Sequence, residues 1–129
     1  MVKRCFDHGI NFFDTAEAYG GGEAERQMGN ALLALGVPRE HYVLTTKLYW
    51  CKIGGENRRG LSRKHVLEGM KNSLKRLQHE YVDVVFCHRQ DSDTPLLETC
   101  RAMNYLIEEG YAFYWGTSMW HPDTIYKAI

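Results

Sequence analysis

The sequence is short of several features that would each decide its class. It has no excess of charge: 16 Lys and Arg stand against 16 Asp and Glu. That balance excludes a chain working by blanket attraction to nucleic acid or to an anionic membrane. Cysteine is sparse, four in 129 residues, and Cys5, Cys51, Cys87 and Cys100 are scattered, with no Cys-x-x-Cys and no paired His and Cys spacing. A disulfide framework or a zinc or other metal site is therefore not expected, and four reduced thiols, some of them core filler, are. Long hydrophobic runs are missing as well. Val84-Val85-Phe86-Cys87 falls far short of the ~18–20 apolar residues that cross a bilayer, so membrane insertion is not expected. Residues 1–8 contain no hydrophobic signal core, which makes the cytoplasm the expected compartment.

What is present is an apolar, aromatic chain of one-domain length. It is 44% hydrophobic, with eight Tyr, five Phe and three Trp, too apolar for disorder. Strand and helix signals alternate along it. Ile10-Asn11-Phe12-Phe13-Asp14 follows Gly9 as a strand entered from a turn. From Glu23, residues Ala24, Met28, Ala31, Leu32 and Leu35 recur at helical spacing until Gly36 and Pro38 stop the run. Residues 42–47 read as a second strand, rich in β-formers, followed by a polar stretch over 51–60 with three glycines. Ser62 is a plausible N-cap for a helix with the apolar stripe Val66, Met70, Leu74 and Leu77. Residues 81–88 form the third strand signal. Thr94 and Pro95 stand at the cap and first turn of a helix expected to bury Leu96, Cys100, Met103 and Ile107 and to end at Gly110. Residues 111–117 give the fourth strand, and His121-Pro122-Asp123 opens a last helix.

Strands alternating with helices imply parallel pairing through right-handed crossovers, and the nearly continuous apolar third strand suggests a sheet covered on both faces. A closed eight-stranded α/β barrel takes about 250 residues. The expected fold is thus a partial (β/α)8 barrel of about four strand–helix units, with a small open α/β sheet as the competing architecture. The chain begins and ends inside helical segments, which favours the half barrel and predicts unsealed sheet edges on both sides.

In parallel α/β folds the C-terminal ends of the strands converge on the ligand crevice. Those positions hold Asp14, Lys47, His88 and Gly116-Thr117-Ser118, with Tyr19 on the loop after the first strand. Each has a plain structural reading: a loop cap, a solvated strand end, a hydrogen-bonded histidine, a rim-packing phenol. Together, an acid, an amine, a phenol and an imidazole at one rim suggest proton transfer.

These segments carry a resemblance. Gly9-Ile10-Asn11-Phe12-Phe13-Asp14-Thr15-Ala16, then Tyr19-Gly20 and Glu23, resembles the signature of the aldo-keto reductases. Thr45-Thr46-Lys47, Tyr81-Val82-Asp83-Val84-Val85 and Tyr114-Trp115-Gly116-Thr117-Ser118 extend it. Arg59-Gly60-Leu61-Ser62-Arg63-Lys64-His65 and Arg101-Ala102-Met103-Asn104 are similar to the branch that contains the beta subunits of voltage-gated potassium channels. The resemblance covers essentially all 129 residues. It implies a (β/α)8 barrel, NADPH as cofactor and carbonyl reduction. Residues 1–129 would be an incomplete aldo-keto reductase domain, without the first strand and the C-terminal half of the barrel.

By that resemblance the catalytic tetrad falls on Asp14, Tyr19, Lys47 and His88. Hydride delivered to a carbonyl carbon leaves an alkoxide that needs a proton from a positioned acid. A phenol is a weak donor at neutral pH, and a nearby ammonium favours the phenolate. Tyr19 is then the acid, Lys47 its tuner, Asp14 the anchor of the lysine, and His88 the orienter of the carbonyl oxygen. Asparagine matches His88 in many animal channel subunits, so histidine supports catalysis without excluding a channel partner. Asp14, Ser118 and Met119 match cofactor-binding positions, Ser118 the one that contacts the nicotinamide carboxamide; residue 119 is usually polar in the family. Trp50 would roof the carbonyl pocket or, alternatively, pack under the 51–60 loop. Gly20-Gly21-Gly22 fits neither the dinucleotide fingerprint nor the Walker pattern and reads as the turn that brings Tyr19 to the rim. Arg58, Arg59, Arg63 and Lys64 are a solvated face or a docking surface for an acidic partner segment.

The resemblance places most of the cofactor grip on strands outside these residues, so the 129 residues alone are expected to bind NADPH poorly. Three functions are compatible with the reading. The first is an NADPH-dependent reductase of small aldehydes or ketones. The second is a cytosolic beta subunit bound to a potassium channel, at the cytosolic face of the membrane. The third is an inactive fragment. Self-association into a homo-oligomer is compatible with the first two.

Overall fold

Among the described residues five α-helices and four strands alternate: α1 Val2–Asp7, β1 Phe12–Asp14, α2 Glu23–Leu35, β2 Val43–Leu48, α3 Arg63–Leu77, β3 Val82–Cys87, α4 Leu96–Glu108, β4 Ala112–Thr117 and α5 Pro122–Ala128. The computed structural model describes residues 1–50 and 55–129. Cys51 and the opening of the polar stretch after it lie outside the described residues. No helix of the described residues is long and apolar enough to cross a membrane.

Local chemistry sets most boundaries. Gly36 ends α2 in the left-handed region (φ 69°). The Ser62 hydroxyl accepts from His65 N at 3.3 Å and caps α3. Pro122 occupies the first turn of α5 behind His121. α4 departs from expectation. Pro95 is itself the N-cap residue, because Leu96 is the first helical position. Thr94 does not cap the helix; its hydroxyl donates to Asp91 Oδ2 at 2.7 Å.

The helix faces agree with the apolar pattern in one case and depart from it in two. In α3, Val66, Met70, Leu74 and Leu77 are all buried. In α4 the buried face is Thr99, Ala102, Met103 and Leu106, while Leu96, Cys100 and Ile107 are half-buried. Packing against the start of α3 turns the helix this way, since the Thr99 hydroxyl donates to Leu61 O at 3.3 Å. In α2 only Leu32 of the five expected positions is buried, beside Glu25 and Gly29. Gly29 lies so close to α3 that a Cβ there would come 2.1 Å from Leu77 O. That close approach, not the larger side chains, decides which face goes in.

The sheet order is β1-β2-β3-β4, all parallel. Right-handed crossovers between strands in this unreversed order place α2, α3 and α4 on the same face. The core lies on that face, where Phe13, Leu44, Leu48, Val85 and Cys87 join Leu32, Val66, Met70, Leu77, Met103 and Leu106. On the opposite face Phe12 is 54% and Tyr114 69% exposed. Within the described residues the sheet is therefore covered on one face, not two. Accordingly β3 buries Val85 and Cys87 on the helix side, while Val84 and Phe86 on the other side are only half-buried; Val82, on the same side as these two, is buried at the start of the strand. Cys5, Cys87 and Cys100 are free thiols, and burial pushes the Cys87 thiol up to about 12.

Candidate active site

Strand alternation and register put Asp14, Thr45, Lys47 and Phe86 on the uncovered face. Asp14 closes β1 and pairs with Thr45, and Lys47 lies two residues further along β2. The Lys47 ammonium donates to Asp14 Oδ2 and, at 2.9 Å, to Thr15 O. Thr45 Oγ1 donates to Asp14 Oδ1 at 2.5 Å. Both carboxylate oxygens are thereby held. In the sequence Thr45 stands only as part of the Thr45-Thr46-Lys47 motif, with no role of its own. Its signal is alternation, since residue 45 shares a face with 47.

Tyr19 reaches this rim from the loop after β1. Three successive glycines behind it, Gly20, Gly21 and Gly22, all take positive φ (58°, 65° and 92°), a path closed to most L side chains. The Lys47 ammonium lies 5.1 Å from the Tyr19 ring centroid. His88, just past β3, makes a T-shaped contact with the same ring, with centroids 5.7 Å apart. Its backbone N–H donates to Leu48 O at 3.0 Å, continuing the β2–β3 pairing beyond the strand. Asp14, Tyr19, Lys47 and His88 thus come together at one end of the sheet.

The electrostatics favour a neutral His88. Burial holds its pKa below the ordinary imidazole value, with Arg89 and Lys47 adding to the effect. Its Nδ1 is buried without a partner among the described residues. A neutral imidazole keeps one N–H to donate.

The remaining candidates are less closely joined. Ser118 follows β4 and its N–H donates to Cys87 O at 3.0 Å, leaving its hydroxyl unassigned at the rim. Met119 is exposed and sits at φ 54°. A left-handed non-glycine residue is strained by about 1–2 kcal/mol, and such strain often falls at functional rims. Its thioether offers no strong donor or acceptor. Trp50 is exposed, packs against Tyr49 at 4.5 Å and bridges to Arg59; its aromatic partner is none of the four. Of the basic cluster, Arg59 lies 3.8 Å from Glu56, Lys64 pairs with Glu68, and Arg63 sits over Tyr105 at 4.6 Å. Among the described residues no group of three or more His, Cys, Asp or Glu could hold a metal ion.

Asp14 and Ser118 leave polar side chains at this rim that fit a group with amide donors and acceptors. Met119 offers it no strong donor or acceptor, and the buried Nδ1 of His88 is closed to it. The profile described as "Aldo/keto reductase family" matches residues 1–128. The chain is 56% identical over 128 residues to a protein of Arabidopsis thaliana described as a "probable voltage-gated potassium channel subunit beta". It is 53% identical over 130 residues to one of the same description from Oryza sativa subsp. japonica. Each alignment covers 99% of this chain and 39% of the relative, so the chain spans well under half the length of these proteins. Among solved structures, the thermostable aldo-keto reductase Tm1743, in complex with the inhibitor epalrestat, superposes with a TM-score of 0.87 at 31% identity. That match covers 99% of this chain and 43% of the other. The four-stranded unit thus corresponds to part of an aldo-keto reductase barrel.

Proposed function

The chain belongs to the aldo/keto reductase family, and from that premise we propose that it carries the proton-transfer half of an NADPH-dependent reduction of aldehydes or ketones. The observation behind this reading is the Asp14–Lys47–Tyr19–His88 cluster at the strand ends. NADPH, when bound, supplies a hydride to the carbonyl carbon. Tyr19 gives its phenolic proton to the carbonyl oxygen, and solvent returns a proton to the phenolate. The Lys47 ammonium stabilises the negative charge left on the phenol. Asp14, itself held by Thr45, keeps that ammonium in place. His88, neutral, donates its N–H to the same carbonyl oxygen and fixes its direction. Asp14 and Ser118 are the polar side chains we assign to the nicotinamide end of the cofactor.

The reading is tested in the longest natural chain that contains these 129 residues, by following NADPH absorbance with a simple aldehyde. Tyr19→Phe is expected to remove most of the turnover, and an unchanged rate in that variant overturns the acid assignment.

A second reading, association with a potassium channel, is favoured by the identity to the two plant relatives described as channel beta subunits. It is compatible with the first. Co-purification with the cytosolic N-terminal domain of a potassium channel supports it, and failure to do so under conditions where the reductase is active counts against it.

A further inference from the structure

Tyr19 stands on a loop, and a loop does not hold a side chain to a fixed partner unless it is tied down. This one is tied in an unusual way. Thr15, Ala16 and Glu17 are all buried. Thr15 N donates to Thr45 O and Glu17 N to Lys47 O, each at 3.1 Å, so pairing with β2 continues beyond the end of β1. Tyr19 N then closes a turn onto Ala16 O at 3.1 Å.

The Glu17 side chain, 1% exposed, points inward. Its Oε1 accepts from Tyr49 N at 2.7 Å and lies 3.0 Å from His65 Nε2, a contact that needs a proton on that nitrogen. His65 is on α3 and equally buried. A carboxylate at this depth is destabilising unless it is paired. Space for the pair comes from Gly69 one turn later, where a Cβ would lie 3.3 Å from both Glu17 Oε2 and His65 Cε1. One oxygen atom therefore joins the loop carrying Tyr19, the segment just after Lys47, and α3.

We propose that Glu17 and His65 are positioning residues that set the placement of Tyr19 against Lys47. The inference rests on the reading of Tyr19 as the acid. Glu17 acts through the two-residue span to Tyr19 and through Tyr49, and His65 acts through Glu17; neither faces the reacting atoms. What matters is the reach of the side chain at 17. A glutamine there keeps the length and the accepting oxygen, whereas an aspartate keeps the charge but is one methylene too short.

The test places 3-fluorotyrosine at position 19 and records its fluorine resonance, alongside kcat and KM for a simple aldehyde, in the longest natural chain containing these residues. Glu17→Gln is expected to leave the resonance in place. Glu17→Asp and His65→Ala should both move it and lower kcat by up to about a hundredfold, the order a 1 Å misplacement causes, with a much smaller change in KM. Leu106→Ala, on the buried face of α4, serves as the control: it loosens the fold but leaves the resonance in place. The proposal is overturned by an unmoved resonance in Glu17→Asp and His65→Ala, by a shift in Glu17→Gln without one in Glu17→Asp, or by an equal shift in Leu106→Ala. If the unmutated protein reduces no carbonyl, the acid reading falls, while the resonance still decides the placement.

Discussion

The same three chemical groups meet at both ends of the sheet, and they are used in opposite ways. At the N-terminal end Arg39 pairs with Asp83 at 2.6 Å and sits over two phenol rings, Tyr42 at 4.8 Å and Tyr81 at 4.2 Å. Asp83 Oδ2 also accepts from Leu44 N at 2.8 Å, and the Tyr42 hydroxyl is 2.7 Å from His79 Nε2. Here the carboxylate is 20% exposed and closed in by neighbours. At the C-terminal end the cation, carboxylate and phenol are Lys47, Asp14 and Tyr19. Asp14 is 43% exposed, and the phenol is open to solvent. Proximity of a cation to a phenol is thus not enough for acid chemistry. Burial pushes the Tyr42 phenol up despite Arg39, so that phenol keeps its proton. The enclosed cluster braces the fold, and the open one is where we propose that a proton is exchanged. This division between strand ends is the one expected of α/β barrels.

The sharpest way to break the comparison is to exchange effects between the two ends. Tyr19→Phe should lower kcat by roughly 10²–10⁴-fold while changing unfolding free energy by less than about 0.5 kcal/mol; steady-state kinetics with urea unfolding checks both halves. Asp83→Ala should do the reverse. It strands a largely buried guanidinium and removes the acceptor of Leu44 N, which destabilises by about 3 kcal/mol. The protein that remains folded should keep its rate constants. If Asp83→Ala instead slowed turnover without loss of stability, the division of labour would be wrong.

Smaller effects refine it. Burial holds both His79 and His88 below the ordinary imidazole value of 6.5. The unfolded chain therefore takes up those protons first as pH falls, and stability is lost from about pH 6.5 downward. Melting temperature measured across that range should decline, and His79→Gln should flatten part of the slope. Asp14→Asn is expected to cost less stability than Asp83→Ala, because Asp14 is 43% exposed and the amide oxygen still reaches the Lys47 ammonium, while still lowering turnover. A large loss of stability in Asp14→Asn would mean that this end of the sheet braces the fold too.

The alternation of strands and helices was readable because its signals are local: β-branched runs, a stripe at helical spacing in α3, Ser62 before it, Gly36 after α2. The four residues of the candidate site were readable for a related reason, since strand ends in a parallel sheet must face a common rim. What could not be read was which charged residues go inside. Glu25 looks like an ordinary first-turn acid, yet it is fully buried against Arg76, 51 residues away, at 2.5 Å, and accepts from Thr46 Oγ1 at 2.6 Å. Glu17 with His65 and Arg39 with Asp83 are alike in this, with partners 48 and 44 residues distant. The buried face of α4 is likewise set by its neighbours and not by its own apolar residues, with Thr99 turned in toward Leu61 O.

The sequence by itself determined the order of the elements, their parallel pairing and the chemistry gathered at the strand ends, since these follow from backbone periodicity and from residue types a few positions apart. Only the tertiary structure decided which helix faces are buried, which carboxylates are paired, and how Tyr19 is held against Lys47. Those outcomes depend on a buried charge finding its partner across the fold, and the free energy of that encounter is written in no single segment of the chain.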